Sequence, residues 1–130
     1  MPGKCYITGA GTHYEHDIFF PSENDIVIAA DGGYLFNCTH NIKTDIIIGD
    51  FDSMPLVNSQ NEEIIKLDPV KDETDMLCAI NKGIERGFEN FHIFGGTGGR
   101  TDHTIANIQC LTYLAQNNMK GFIYTENEIM

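Results

Sequence analysis

The stretch Asp25–Ala30, Asp-Ile-Val-Ile-Ala-Ala, runs apolar from Ile26 without a break, and Asp45–Ile48 does the same from Ile46. A strand with one wet face alternates apolar and polar residues. An unbroken run is apolar on both faces, which suits the interior of a parallel sheet covered on both sides. Each run closes on turn residues, Asp31-Gly32-Gly33 after the first and Gly49-Asp50 after the second. Lys4–Thr8, Glu63–Leu67, Asn90–Phe94 and Gly121–Thr125 are further candidate strands. Between them lie segments of helical period. Leu77, Ile80 and Ile84 make an apolar stripe over Thr74–Arg86, stopped by Gly87. Ile105, Ile108, Leu111 and Ala115 make a second stripe over Thr101–Gln116, and Tyr34–His40 is long enough for a short helix. Strands alternating with helices predict an α/β domain, a mostly parallel sheet flanked by helices. At 130 residues the chain has room for one such domain and not for two.

The formal net charge of -11 argues against nonspecific binding to nucleic acid or to an anionic membrane, both of which need a basic face. It also sets a condition on phosphate ligands. A polyphosphate beside so many carboxylates needs a divalent cation between them. The four cysteines, Cys5, Cys38, Cys78 and Cys110, are scattered with no CxxC pair, so neither a zinc site nor a disulfide framework is expected. No run is apolar enough to span a bilayer, and the first twenty residues carry Glu15 and Asp17, unlike a signal peptide. The expectation is a cytoplasmic protein with reduced thiols. His13, His16, His40 and His92 show no ligand spacing and read as surface or packed residues.

The polar and glycine-rich groups fall just after strands, where open parallel sheets bind ligands. Asp50 and Asp52 form a D-x-D pair; in extended backbone, positions i and i+2 point the same way, so both carboxylates can face one hard cation such as Mg²⁺. A solvated acidic turn has the same composition. Lys71-Asp72-Glu73-Thr74-Asp75 opens a helix. Asp75 can complete a metal site while Lys71 meets a phosphate, although Asp72 and Asp75 also suit a helix cap. Gly95-Gly96-Thr97-Gly98-Gly99-Arg100-Thr101-Asp102-His103 lies between a strand and a helix, free to bring backbone N–H groups and the Arg100 fork to an anion. A plain glycine turn capped by Thr101 is the competing account, and the run is neither a Walker A loop nor a dinucleotide fingerprint. Asn107 follows one helical turn beyond His103.

In order, Ala30-Asp31-Gly32-Gly33, Ile48-Gly49-Asp50-Phe51-Asp52-Ser53, Lys71-Asp72-Glu73-Thr74-Asp75 and Gly98-Gly99-Arg100-Thr101-Asp102-His103 with Ala106-Asn107-Ile108 resemble thiamine pyrophosphokinase, over roughly Phe20–Tyr124. The resemblance implies a Rossmann-like layered α/β catalytic domain over residues 1–125. It also implies that residues 126–130 begin a linker to a C-terminal β-sandwich domain that this chain lacks. It implies a homodimer with sites built between subunits, Mg²⁺ as cofactor, and ATP and thiamine as substrates, giving AMP and thiamine diphosphate. On that resemblance Asp50, Asp52 and Asp75 hold magnesium. Asp31, Gly32, Gly33, Ser53, Lys71, Thr74, Gly98, Gly99, Arg100, Asp102 and Asn107 line the ATP and substrate site, and Asp72 or Asp102 orients the attacking hydroxyl. Where the family pattern has Pro before the Asp that leads into Gly-Asp-Phe-Asp-Ser, this chain has Thr44.

The expected reaction is in-line attack by the thiamine hydroxyl on the β-phosphorus of ATP, with positioning and charge neutralisation carrying the rate. Two alternatives share the phosphate machinery: a pyrophosphokinase acting on a pterin alcohol, and a nucleotide-binding module without turnover.

Overall fold

All six apolar runs form strands, and all are parallel. The computed structural model describes residues 3–9, 21–30, 33–40, 42–49, 63–66, 75–96 and 101–124. In chain order these form β1 (Cys5–Thr8), β2 (Ile26–Ala30), α1 (Gly33–Thr39), β3 (Ile46–Gly49), β4 (Glu63–Lys66), α2 (Asp75–Glu85), β5 (Asn90–Phe94), α3 (Thr101–Gln116) and β6 (Lys120–Ile123). The sheet order is β4-β3-β2-β1-β5-β6. The register sets Ile7 between Ile28 and Ile93, so β2, β1 and β5 meet through aliphatic residues. Residues 125–130, including the expected linker, lie outside the described residues.

The unbroken apolar runs are explained by what covers them. Cys5, Ile7, Ile26, Ile28, Ile46, Ile48, Phe91, Ile93 and Ile123 face one way, into a core closed by Met76, Ala79 and Ile80 of α2 and by Cys110 and Leu114 of α3. The residues between them face the other way. Tyr6, Val27 and Phe94 join Ile42, while Ala29 and Ile47 pack on Tyr34 of α1. Burial on both faces leaves no position in β2 for a polar residue.

Topology follows from handedness. The connections from β1 to β2, β2 to β3 and β3 to β4 step one way along the sheet. The α2 connection returns past β1 to β5, and α3 continues outward to β6. Right-handed crossovers stepping in opposite directions lie on opposite faces. That puts α1 on one face and α2 with α3 on the other, in agreement with the two sets of core contacts.

Helix α2 buries the expected face: Ile80 is fully buried, Leu77 and Ile84 flank it, and Met76 and Ala79 extend it. Gly87 ends the helix with φ 92°, the left-handed turn that glycine adopts freely. In α3 the expected stripe is only partly right: Leu111 is half-buried and packs on the core, but its other members do not. Ile105 is 52% exposed and Ile108 39%, and Ala115 is also exposed. The inward residues are Asn107, Cys110 and Leu114, a stripe rotated by about 100° from the aliphatic one. A polar residue heads the buried stripe because its amide has a buried partner, described below. Hydrophobicity counting therefore favours the wrong side of this helix.

Polar ties fix the edges of the core. The Asp25 carboxylate accepts the amides of Lys4 and Ser22, each at 2.8 Å. Burial works to raise its carboxyl, but these bonds outweigh it and hold the group below the usual aspartate value. The Asp45 carboxylate accepts the Val27 amide at 2.9 Å, and the Asp45 amide returns a bond to the Val27 carbonyl. Thr44, at the position where the family pattern has Pro, is buried, and its Oγ1 accepts the Asn37 amide at 2.9 Å. All four cysteines are free, Cys5 and Cys110 buried, Cys78 partly buried and Cys38 exposed. Burial raises the thiols of Cys5 and Cys110. Among the described residues, no helix is long and apolar enough to cross a membrane.

His92 is a packed histidine. Its ring lies 5.2 Å from that of Phe122, 5.6 Å from Tyr6 and 5.7 Å from Tyr124, with Nδ1 2.6 Å from the Tyr124 hydroxyl. Burial lowers its basicity first and Lys4 lowers it further, against a smaller opposing effect of Asp25. His40 is an exposed histidine beside Phe36.

Candidate active site

The direction of the crossovers changes between β1 and β5, and an open parallel sheet binds ligands at the carboxyl ends of its strands at such a point. Here the two strand ends are drawn together: the Gly9 amide donates to the Phe94 carbonyl across 2.7 Å. A Cβ on Gly9 would lie 2.8 Å from the Gly95 carbonyl oxygen and 3.1 Å from Cε of Met76. The ends of β1 and β5 and the first turn of α2 therefore meet at one place. Gly33 opens α1 directly against the carbonyl of Thr8, so closely that any side chain would force the backbone apart. Gly95 has φ 71°, which turns the chain sharply out of β5.

These contacts locate the described members of the expected site. Asp75 is the first residue of α2, next to Met76, and α2 packs across β1, β2 and β3. Asp102 is the second residue of α3, in the helix that follows the β5 glycine run. Gly33 lies over the end of β1. Asn107 is buried, and its Nδ2 donates to the Gly96 carbonyl at 2.9 Å. Gly49 ends β3, so Asp50 follows directly from a strand carboxyl end. The ends of β3 and β5 are three strand spacings apart, about 14 Å, a span comparable to an extended nucleotide. Asp31, Gly32, Asp50, Asp52, Ser53, Lys71, Asp72, Thr74, Gly98, Gly99 and Arg100 lie outside the described residues.

Chemically, the described part is a backbone cradle at a switch point, with an acid opening α2 and another in the first turn of α3. Among the described residues, no group of three or more His, Cys, Asp or Glu side chains is gathered as a metal cage. Thr8 adds a feature that motif reading passes over. It is fully buried at the end of β1, and its hydroxyl has no hydrogen-bond partner among the described residues. Met76 was equally invisible as a site residue, since a methionine in an apolar stripe carries no mark of contact with a glycine turn. The signal for Asn107 was present: an amide stands where helical period calls for an apolar residue.

Comparison with known proteins bears directly on these features. Residues 20–123 match the family described as thiamin pyrophosphokinase, catalytic domain. The thiamine pyrophosphokinase of Bacillus subtilis is 32% identical over 108 residues, covering 78% of this chain and 50% of that protein. Thiamin pyrophosphokinase 1 of Caenorhabditis elegans is 34% identical over 73 residues, 51% of this chain and 30% of that protein. The crystal structure of thiamine pyrophosphokinase from Bacillus subtilis superposes with a TM-score of 0.82 at 25% identity, covering 95% of this chain and 61% of that one. That from Geobacillus thermodenitrificans gives 0.78 at 25% identity, covering 93% and 59%. The chain thus spans about half the length of the Bacillus subtilis relative. With a family match across most of its length and a fold that superposes at a TM-score of 0.82, this chain belongs to the thiamin pyrophosphokinase catalytic-domain family.

Proposed function

We propose that this chain is the ATP-binding catalytic domain of a thiamine pyrophosphokinase, transferring a pyrophosphoryl group from Mg-ATP to the hydroxyl of thiamine and yielding AMP and thiamine diphosphate. The observation that supports this most is the joining of β1 and β5 at Gly9 and Phe94, with Gly33, the start of α2 and the β5 glycine turn all directed to that junction. The names of the relatives supply the substrate, thiamine, and the reaction class.

Asp50, Asp52 and Asp75 fit magnesium by the chemistry of their donors, all hard carboxylate oxygens. Two observations agree with that fit: Asp75 opens a helix at the switch point, and Gly49, which Asp50 follows in sequence, ends β3 on the same edge of the sheet, two strands from β1. When bound, the cation offsets phosphate charge that a chain of net charge -11 would otherwise repel. Lys71 and Arg100 grip phosphate oxygens, Arg100 through its planar fork. The glycines Gly32, Gly33, Gly98 and Gly99 let the backbone approach the nucleotide. Asp31, Ser53 and Thr74 add polar contacts. Asp72 or Asp102 orients the thiamine hydroxyl and takes its proton as the oxygen bonds to the β-phosphorus and AMP departs. The family resemblance further suggests a cytoplasmic homodimer with sites built between subunits.

The test is AMP release from Mg-ATP, run on this chain and on any longer native product with thiamine or a pterin alcohol. Release that depends on thiamine supports the proposal. Release that depends only on the pterin transfers the activity to that substrate. ATP binding by calorimetry without release from either form identifies a nucleotide-binding module instead.

A further inference from the structure

Asn107 lies well inside α3, at the head of the inward stripe it shares with Cys110 and Leu114. It is 8% exposed. An amide in that position is costly unless it is hydrogen-bonded, and an apolar residue of similar size would fill the space without that demand. The amide is spent on one backbone atom, the Gly96 carbonyl, 2.9 Å from Nδ2 and eleven residues earlier in the chain. Gly96 is where the chain has left β5 and turned through the left-handed Gly95. From there it runs through Thr97–Arg100 into the first turn of α3. The space around Gly96 is close: a Cβ there would lie 3.2 Å from Cγ2 of Ile93 and 3.5 Å from the Asn107 amide itself. One end of the glycine run is thereby pinned to the body of the helix that begins at its other end.

We propose that Asn107 is a positioning residue. By holding the Gly96 carbonyl against α3, it fixes where the chain leaves β5 on the way to Gly98, Gly99 and Arg100, the phosphate-binding residues of the proposed function, without itself touching the ligand. This rests on the function proposed above, and it refines the role of Asn107 from lining the substrate site to shaping the loop that does. Misplacing such a loop by about 1 Å is enough to cost catalysis 10- to 100-fold while leaving the core intact.

Two readouts test it on the full native chain. The first needs no activity: trypsin cleaves after Arg100, the residue before α3 in sequence, and after the exposed Arg86 just beyond α2, which serves as an internal control. Asn107→Leu is expected to speed cleavage after Arg100 at least 10-fold with cleavage after Arg86 unchanged. The second is turnover at saturating Mg-ATP and thiamine, below the melting range of every variant. Asn107→Leu is expected to lower kcat 10- to 100-fold with KM for thiamine within about 3-fold. Asn107→Asp keeps the shape but, as a carboxylate, has no proton to donate; as an acid it regains one. Its kcat relative to the native protein should therefore rise as pH falls, a pattern that lost packing would not give. Unchanged cleavage after Arg100 in Asn107→Leu overturns the proposal. So does faster cleavage with kcat unchanged, since the loop would then be held to no catalytic end. If the native chain shows no thiamine-dependent AMP release while Asn107→Leu still loosens the loop, the proposed function fails and the tether stands.

Discussion

The Gly9 amide and the Phe94 carbonyl are joined across 2.7 Å, bonding the end of the first strand to the end of the fifth. These two strands are neighbours in the sheet, yet most of the chain lies between them in sequence. The bond extends their ladder one residue beyond the strands, to the point where one connection leaves toward β2 and another toward β6. Among the described residues, the Gly33 opening of α1, the Gly95 turn and the acid that opens α2, Asp75, gather at that point. The proposed function uses that geometry: a triphosphate with its cation is placed at the carboxyl edge of the sheet, where the turns of the described residues gather.

If Asp52 serves the cation, Asp52→Asn should remove metal-dependent turnover, lowering kcat/KM for Mg-ATP by a factor of about 100 or more, equivalent to ~3 kcal/mol of transition-state stabilisation. The circular dichroism spectrum and melting temperature should stay close to those of the native protein. Native AMP production by the variant would remove Asp52 from the metal site.

The corrected face of α3 makes a direct stability prediction. Leu114→Ala should cost about 2–5 kcal/mol, because it opens a cavity in a fully buried position. Ile105→Lys, at a site 52% exposed, should change stability of the isolated chain by about 0.5 kcal/mol or less. Urea denaturation distinguishes the two, and equal losses would restore the aliphatic stripe as the inward one.

Asn37 and Thr44 form a buried side-chain pair that ties α1 to the entry of β3. Thr44→Val retains the shape and removes the acceptor, leaving the Asn37 amide unpaired, a cost of about 1–3 kcal/mol. Replacing both, Asn37→Leu with Thr44→Val, should recover part of that loss, since an apolar pair has nothing left unsatisfied. A Thr44→Val variant as stable as the native chain in urea would show that the bond contributes nothing.

His92 gives the protein a pH dependence of known sign. Its basicity is lowered in the fold, so as pH falls the unfolded chain takes up the proton first. The stability held by neutral His92 is whole above its ordinary value of 6.5 and is lost as pH drops from there through the lower folded value. Burial gives the reason: the ring is packed among Phe122, Tyr6 and Tyr124, where the charged form loses its water, and Lys4 adds to the effect. His92→Phe keeps a ring for Phe122 and Tyr6 to pack on but cannot titrate. Its urea midpoint should fall less than the native one between pH 7.5 and 5, and parallel profiles would exclude His92 as the cause.

Strands were the most legible part of the sequence, because burial on both faces writes itself as unbroken apolar runs such as Ile26–Ala30 and Ile46–Ile48. Helix α2 was legible for the same reason, since its buried residues are nearly all apolar. Helix α3 was not. Its inward stripe begins with Asn107, whose polarity is cancelled by a carbonyl that only the fold brings near, while Ile105 and Ile108 supply a competing pattern on the outside. At the site, the sequence marked which segments end strands and carry acids; of the residues it named, Gly33 lies against the end of β1, Asp75 opens α2 and Asn107 bonds the Gly96 carbonyl. The closeness of Gly9 to Gly95 and Met76 was not legible, because a glycine's neighbours across strands leave no trace in its own segment.

Paramagnetic broadening by Mn²⁺-ATP, with Mn²⁺ in place of Mg²⁺, tests the location of the site most directly. In a ¹H–¹⁵N spectrum of the native chain, the amides of Gly9, Gly33, Gly95 and Gly96 should broaden first, at substoichiometric Mn²⁺-ATP. Those of Asp25, Asn90 and Lys120, at the amino ends of the strands, should stay sharp. Broadening centred on the amino ends, or spread evenly through the sheet, would contradict a nucleotide held where β1 and β5 part.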